Sequence, residues 1–380
     1  MLAACEGYLG LAPDSEGGVD VDATTRMDAA SDGSAPDGRT PDSGAADASR
    51  TDTGVADTGV RDTGVADTGV RDTGPGGPCA RVTCGAGETC AAATGDCVCA
   101  PGFISSGTGC VAPAPGDPAG RSSATMCAIW SAGHEENAGS GWTPGATTCD
   151  LGALNAETIP DTLRRLSMFR DLCGLGPVTD IPSQQAGEQA CAVMMNAEGR
   201  LDHAPATSFA CYTAEGAAAA GRSNLALGVS TPASAIDLYV GDERVASLGH
   251  RRWALNFRLG RVSIGYAGRA QCLGVFDTSG TSTRSWTSWP NPGPTPRAAI
   301  PSVWSYLSTG SVSGASVRVT RVSDGMDMPV TTAIPTAGYG AAAVAFTPTG
   351  WSAASGETYR VEITGLSSGV VSYEVSPVDC

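Results

Sequence analysis

Hydrophobic residues recur at helical spacing in two segments near the middle of the chain. Residues 156–172 place apolar side chains three residues apart, and this period predicts an amphipathic helix. Its apolar positions are Leu163, Leu166, Phe169 and Leu172. Pro160 suits the first turn, and the sequence GLGP that follows ends the helix. Residues 183–198 predict a second helix, with Ser183 as its N-cap.

Apolar and polar residues alternate in the last third of the chain. The β-branched runs ASVRVTRV, AAAVAFTP, TYRVEITGL and VVSYEVSPV are separated by Gly, Pro, Asp and Ser, which favour turns. Residues 302–380 therefore predict a small antiparallel β-sandwich of the Ig-like type. Residues 286–301, rich in Trp and Pro, predict a strap that packs two domains together. A sugar-stacking platform of Trp286 and Trp289 is the alternative.

Residues 13–78 lack a hydrophobic pattern. They consist mainly of Asp, Ala, Gly, Thr, Ser and Pro and include DTGVA and DTGVR repeats of five residues. Such a segment cannot bury enough apolar surface to offset chain entropy, so we expect a disordered acidic spacer. The formal net charge of the chain is −16, and most of it falls in this spacer. A basic face for nucleic acid is not expected.

The first residues contain a motif similar to a bacterial lipobox, Leu2-Ala3-Ala4-Cys5, within a segment of residues 1–12. Lipidation of Cys5 would anchor the chain to a membrane. The charged and apolar regions of a signal peptide do not precede the motif, so a chance match stays open. We expect an exported protein of the cell envelope or outer surface, lipid-anchored if Cys5 is processed and secreted otherwise.

The chain has 14 cysteines, six of them in residues 79–110 with the spacing C-x4-C-x5-C-x6-C-x-C-x10-C. Because histidine is scarce and CxxC pairs do not repeat, this density favours disulfides in an oxidising compartment over zinc. Fifteen connectivities are compatible with the spacing alone.

The cysteine spacing, with GF before the last cysteine, resembles an EGF-like module. The resemblance implies the pairs Cys79–Cys90, Cys84–Cys97 and Cys99–Cys110. Calcium is not expected, since GPGGP stands where calcium-binding modules carry acidic and amide residues. Residues 111–126 are predicted to be a linker.

Five further motifs occur in a fixed order: MFRDLCGLGPV, MMNAEGRLDH, RSNLALG, YVGD, and GHRRWALN followed by VSIGYAG. Together they resemble the CAP superfamily, the cysteine-rich secretory and pathogenesis-related protein domain. We assign residues 127–285 to this domain. The resemblance implies a three-layer α-β-α sandwich with a cleft, and hence a multidomain α+β protein.

In the CAP superfamily the cleft holds two histidines and two acidic residues. The resemblance places the histidines at His203 and His250, while the acidic positions fall on Ser223 and Asp242. Asn224 and Arg251 would lie at the same cleft. Two imidazoles could hold a zinc or magnesium ion, although the lost carboxylate weakens such a site.

Other roles for these residues are weighed as alternatives. Ser223, His250 and Asp242 (or Asp202) could form a hydrolytic triad, but no G-x-S-x-G turn surrounds the serine. Arg251 and Arg252 could bind an anionic group, whereas an ion pair with Asp242 or Glu243 is favoured slightly. We expect Trp253 in the core and His134 in a solvated loop.

The remaining cysteines predict three more disulfide bonds. We expect Cys191–Cys211, Cys127–Cys149 and Cys272–Cys380, which leaves Cys173 unpaired.

The predicted function is ligand binding by an exported surface protein. The CAP cleft would hold a lipid-like or peptide ligand from the surface or the extracellular space, with or without a divalent metal. A metal-dependent hydrolase and a non-catalytic architectural or adhesion module are the alternatives, and binding is favoured over catalysis.

Overall fold

The structure, a computed structural model, describes residue 77 and residues 79–90, 95–99, 104–105, 110–111 and 117–380. The predicted lipobox with Cys5, and the acidic spacer apart from residue 77, lie outside this range. The described residues form a mixed α+β fold with several sheets and few helices.

The cysteine-rich segment contains two short antiparallel pairs. Strand β1 (Glu88–Cys90) pairs with β2 (Cys97–Cys99), and β3 (Ile104–Ser105) pairs with β4 (Cys110–Val111). The predicted bonds Cys79–Cys90 and Cys84–Cys97 are both present. The third predicted pair, Cys99–Cys110, involves the Cys99 side chain, which lies outside the described part of the structure.

The middle of the chain holds the helices that the structure describes and two sheets. The helices are α1 (Ser123–Gly133), α2 (Thr158–Leu172), α3 (Gln185–Glu198), α4 (Ala214–Ala220), α5 (Ser234–Gly241) and α6 (Gly249–Ala254). The strands are β5 (Trp142–Thr143), β6 (Ala153–Leu154), β7 (Thr179–Asp180), β8 (Ser223–Leu227), β9 (Arg261–Ala267) and β10 (Ala270–Gly274). Both predicted helices are present as α2 and α3. Ser183, however, lies in a 3-10 helix (Pro182–Gln184) that precedes α3, so it is not the N-cap.

A four-stranded sheet with the order β7-β9-β10-β8 lies between two groups of helices. Strand β7 is parallel to β9, and the other neighbours are antiparallel. Side chains alternate across β10: Cys272 packs with α3 and α4, while Leu273 packs with α1, α2, α5 and α6. The sheet is therefore covered on both faces.

The predicted linker is wrong from residue 117 onwards. Pro118–Gly120 form a 3-10 helix, and α1 begins at Ser123. Two ion pairs, Arg284–Asp117 and Arg121–Asp171, attach this stretch to the rest of the fold at 2.8 and 2.9 Å. The segment is part of the folded unit because Asp117 and Arg121 form ion pairs with residues that are distant in the sequence.

The last third forms two four-stranded sheets around one hydrophobic core. Their orders are β11-β13-β16-β15 and β12-β18-β17-β14. The strands are β11 (Trp286–Trp289), β12 (Gly293–Pro296), β13 (Trp304–Ser308), β14 (Ser316–Arg321), β15 (Val330–Ala333), β16 (Ala342–Pro348), β17 (Tyr359–Thr364) and β18 (Val371–Val378). All four predicted runs are strands.

The strap of residues 286–301 forms strands, which differs from the prediction. Strand β11 belongs to one sheet and β12 to the other, so the sheets start before residue 302. Strand β12 runs parallel to β18, so the arrangement is not purely antiparallel. Trp289 is buried in the core beneath the helices, whereas Trp286 packs against the core between the two sheets. Residues of the strap therefore pack in both core clusters.

Three predicted disulfide pairs are wrong. Cys191–Cys211, Cys127–Cys149 and Cys272–Cys380 are replaced by Cys191–Cys272, Cys149–Cys211 and Cys127–Cys380. Cys191 on α3 and Cys272 on β10 are buried in the same core cluster, so the packing of helix on sheet selects this bond. Cys173 is free and buried, and burial raises the pKa of its thiol to about 12.

The disulfide bonds indicate an oxidising, extracytoplasmic location. Among the described helices, none combines the length and apolar character needed to cross a membrane.

Candidate functional site

His250 and Asp242 form a hydrogen-bonded pair where α5 ends and α6 begins. Nδ1 of His250 lies 2.8 Å from Oδ1 of Asp242. Since a carboxylate oxygen accepts hydrogen bonds, Nδ1 is the donor of this pair, and Nε2 is the ring nitrogen left for another partner. The Asp242 side chain is 1% exposed and the His250 side chain 26% exposed. A buried carboxylate therefore orients an imidazole that solvent can reach.

The backbone around this pair adopts an unusual conformation. Asp242 is the C-cap of α5 with φ +46°, and Arg244 and Leu248 also have positive φ, at +68° and +48°. Non-glycine residues rarely take these values, and bulky residues do so least. The conformation lets the second oxygen of Asp242 accept the backbone N–H of Arg251 at 3.1 Å. Both carboxylate oxygens of Asp242 therefore have a hydrogen-bond partner.

Two buried side chains support His250 from beneath. The ring of Tyr239 is stacked on the imidazole with centroids 5.6 Å apart. Nδ2 of Asn224 donates to the backbone carbonyl of His250 at 3.0 Å, and Tyr239 donates to the carbonyl of Asn224 at 3.1 Å. Burial raises the pKa of Tyr239, so its hydroxyl stays a donor. Asn224 is 2% exposed and acts on the position of His250 rather than on the surface.

Arg251 and Arg252 bind neutral acceptors. Arg251 is completely buried, and its guanidinium donates to the carbonyls of Val240, Gly241 and Val303 and to Oγ of Ser305. Arg252 donates to the carbonyls of Ser247, Thr336 and Ala341. Within the described chain neither arginine lies within ion-pair distance of an acid, so the favoured pairing with Asp242 or Glu243 is wrong. Arg251 is also inaccessible to a ligand, because contacts between domains occupy it.

Ser223 binds a buried acidic residue of α3. Its hydroxyl donates to Oε2 of Glu188 at 2.6 Å and is also 2.7 Å from the carbonyl of Ala219. Glu188 on α3 is fully buried, and burial raises the pKa of its carboxyl against the opposing effects of Ser223, Arg222 and Ser263. Oε1 of Glu188 accepts from Arg222 at 2.9 Å and from Ser263 at 3.0 Å. A carboxylate from α3 thus lies next to Ser223, the position where the sequence lacks the expected acidic residue.

The candidate triad is therefore not assembled. Ser223 is 4% exposed, and its hydroxyl bonds to Glu188 and Ala219 rather than to His250. Asp202, the alternative third member, accepts the backbone N–H of Ala204 and lies 3.5 Å from Arg200. Of the three proposed triad members, the structure pairs only His250 and Asp242.

His203 is exposed, and its side chain contacts the C-terminal end of α4. Its Nδ1 is 2.9 Å from the carbonyl of Ala220, three residues before Ser223. The two histidines therefore have separate Nδ1 partners, a backbone carbonyl for His203 and Asp242 for His250.

A metal ion does not fit these residues. No group of three or more His, Cys, Asp and Glu side chains in the described ranges is placed to hold one. Nδ1 of His250 is taken by Asp242, which leaves one nitrogen on each of two rings. Zinc sites use at least three protein ligands and magnesium prefers oxygen ligands, so two imidazole nitrogens at His203 and His250 suit neither ion.

His134 does not lie in a solvated loop, contrary to the prediction. It caps the C-terminus of α1, with Nδ1 2.8 Å from the carbonyl of Trp130 and its ring centroid 3.8 Å from that of Trp130. Nε2 lies 3.7 Å from Oδ1 of Asp237, which also pairs with Arg165. Burial lowers the pKa of His134 and raises the pKa of Asp237 to about 7, with Arg165 opposing the rise.

Aromatic side chains near the site are more exposed than expected. Trp253, predicted to be core, packs against the core only in part, and its ring lies 4.6 Å from that of Phe276, which is 46% exposed. The sequence did not point to Phe276 or Glu188. An isolated aromatic residue after a strand and an acidic residue within a helix carry no local signal.

Comparison with family models, with curated proteins and with solved structures yields no match for this chain. The functional assignment therefore depends on the residues and their geometry.

Proposed function

We propose that this chain is an exported surface protein that binds a ligand at His250 of a CAP-like domain. An EGF-like module would precede this domain and an Ig-like β-sandwich would follow it. The acidic spacer and a lipid at Cys5 would hold these domains away from a membrane. The sheet covered by helices on both faces supports the CAP-like assignment, as does the order of its motifs.

The pairing of His250 with Asp242 carries the proposal. The His250 imidazole is oriented by Asp242 in its left-handed backbone conformation, by the stacked ring of Tyr239 and by the amide of Asn224. It nevertheless remains partly exposed. Polar groups held in this way are typical of ligand sites, where a few placed atoms fix orientation. Nε2 of His250 would accept a hydrogen bond from a hydroxyl or an amide N–H of the ligand. Lipid-like and peptide ligands both supply such donors.

A hydrolase is the second candidate, because hydrolytic enzymes also use an aspartate to orient the histidine that acts as general base. The nearby hydroxyl of Ser223 is directed to Glu188, and the metal alternative lacks ligands. Ligand binding therefore agrees better with the geometry than catalysis does.

A thermal-shift measurement on the full chain tests the proposal, with palmitate, phosphatidylglycerol micelles and a tripeptide mixture as probes. A ligand at about 100 times its Kd adds about 2.7 kcal/mol to the free energy of unfolding, which raises Tm by a few degrees. We expect at least one probe to protect the wild type but not His250→Ala. The control His134→Ala changes the C-cap of α1 rather than the His250–Asp242 pair and should keep the protection.

Equal protection of the wild type and His250→Ala by every probe that binds would contradict the assignment to this site. Turnover of the peptides or of a simple ester, lost in both His250→Ala and Asp242→Ala, would favour the hydrolase instead.

A further inference from the structure

The loop between β15 and β16, residues 334–341, lies against α6 although it belongs to the C-terminal sandwich. Arg252 of α6 holds both ends of this loop, with Nη1 2.7 Å from the carbonyl of Thr336 and Nε 2.8 Å from that of Ala341. Its guanidinium carbon also lies 5.8 Å from the ring centroid of Tyr339. Arg252 is 2% exposed, so the loop is attached through the interior rather than at the surface.

Tyr339 packs against the backbone of the residue that precedes His250. A Cβ placed on Gly249 would lie 2.9 Å from Cδ1 and 3.4 Å from Cε1 of the Tyr339 ring. Gly340 approaches the same helix, since a Cβ there would lie 2.7 Å from the carbonyl oxygen of Arg252. Gly249 therefore permits an aromatic ring to approach the start of α6, at the residue that precedes His250.

Further contacts fix the sandwich at the same place. Arg251 donates to the carbonyl of Val303 at 2.8 Å and to Oγ of Ser305 at 3.1 Å, while Glu243 accepts the backbone N–H of Ser302 at 2.9 Å. Residues on both sides of His250 are thus bonded to the C-terminal domain. These bonds attach residues 302–305 next to α6, while Arg252 attaches the loop itself.

We propose that the loop of residues 334–341 forms one wall of the His250 site and that Tyr339 contacts the ligand there. The site is then made by two domains, and the sandwich contributes to recognition. His250 would accept a hydrogen bond while the ring and hydroxyl of Tyr339 supply an apolar face and a second polar group. The ligand class is a molecule that carries a hydroxyl or amide donor next to a flat or apolar portion. The ligand contact rests on the proposed function, whereas the wall does not.

Chemical modification of the full chain tests the wall without any ligand. Diethyl pyrocarbonate acylates unprotonated imidazole nitrogens, and the chain has only three histidines, so peptide mass spectrometry gives a rate for each. We expect Tyr339→Ala to raise the rate at His250 severalfold while the rates at His134 and His203 stay unchanged. Tyr339→Phe keeps the ring and should leave the His250 rate at the wild-type value. Val322→Ala, which alters an exposed side chain of the same sandwich, should also leave it unchanged.

Gly249→Ala gives a second test that leaves the loop sequence intact. The added methyl group must displace the Tyr339 ring, so the His250 rate should rise here as well. Unchanged His250 rates in both Tyr339→Ala and Gly249→Ala would overturn the inference. So would equal increases at all three histidines, because that result reports general unfolding.

The ligand contact has its own measurement. For a probe that protects the wild type but not His250→Ala, Tyr339→Ala should weaken Kd severalfold, and an unchanged Kd would remove Tyr339 from the ligand contact. If no probe depends on His250, the proposed function fails, while the modification rates still decide whether the wall exists.

Discussion

Arg251 is a charged side chain in the interior whose partners are carbonyls and a hydroxyl. We expect Arg251→Met to lower the free energy of unfolding by about 3 kcal/mol or more, since each buried acceptor left without a donor costs about 1–3 kcal/mol. Urea denaturation followed by tryptophan fluorescence measures the change. Arg258→Met is the control, because Arg258 is exposed and should change stability by less than about 0.5 kcal/mol. A loss at Arg251 no larger than at Arg258 would contradict this role.

Asp237 predicts a pH dependence of stability. Burial raises the pKa of its carboxyl to about 7 in the folded protein, above the ordinary value of 3.8. The folded state therefore binds the proton more tightly, so this contribution to stability is fully present below pH 3.8 and is lost as pH rises through about 7. Since Asn cannot ionise, we expect the wild type to lose stability relative to Asp237→Asn as pH rises from 5 to about 8. Urea titrations across this range measure it.

His134 acts in the opposite direction, because its lowered pKa contributes stability above pH 6.5 that is lost as pH falls. The comparison should therefore be repeated in the His134→Ala background. Asp202→Asn is the matched control, since the side chains of Asp202 and Asp237 are both 34% exposed. A pH-independent difference for Asp237→Asn would exclude the raised pKa.

At the scale of elements, α3 and β9 approach so closely that only glycine fits between them. A Cβ on Gly265 would lie 1.9 Å from the backbone oxygen of Glu188. Gly265→Ala must push the helix from the sheet, and we expect a loss of about 2–4 kcal/mol, in the range of severe packing changes. Thermal unfolding measures it, and a loss below about 0.5 kcal/mol would contradict the close contact. Gly241→Ala is the control, since nothing lies within 4 Å of a Cβ there.

Elements with a strong local period were predictable from the sequence. The helices α2 and α3 and the strands β14, β16, β17 and β18 follow from their spacing of apolar residues. The short strand β12 could not be predicted, because its glycine and two prolines are not typical of a strand. Its pairing with β18 is non-local, and propensity carries no information about such a partner.

At the scale of the whole molecule, the C-terminal sandwich and the helical part share interior residues. Trp289 is 0% exposed and lies 5.3 Å from Phe169 of α2, measured between ring centroids. The carbonyl of Cys173 accepts the hydroxyl of Thr287 at 2.9 Å. Strand β11 therefore contributes to both cores, and the two parts should unfold together.

The bond Cys127–Cys380 closes the fold over a sequence separation of 253 residues. We expect the double variant Cys127→Ser, Cys380→Ser to lose about 2–5 kcal/mol, since a disulfide that closes a long loop restricts the unfolded chain strongly. Calorimetry of the oxidised full chain measures the loss. The matched double variant at Cys79 and Cys90, separated by 11 residues, should leave the main transition within about 1 kcal/mol of wild type. Equal effects of both variants on that transition would contradict the expected closure.

The helices and strands with clear periods and the oxidised state of most cysteines were predictable from the sequence, which also singled out His250 and Asp242, the pair that the structure brings together. These features depend on the local spacing of residues or on short motifs a few residues long. The partner of Ser223, the disulfide pairs of the helical part, the acceptors of Arg251 and the position of Tyr339 follow from the three-dimensional packing. Each joins residues that are distant in the chain, and packing of faces selects such partners in a way that no local pattern encodes.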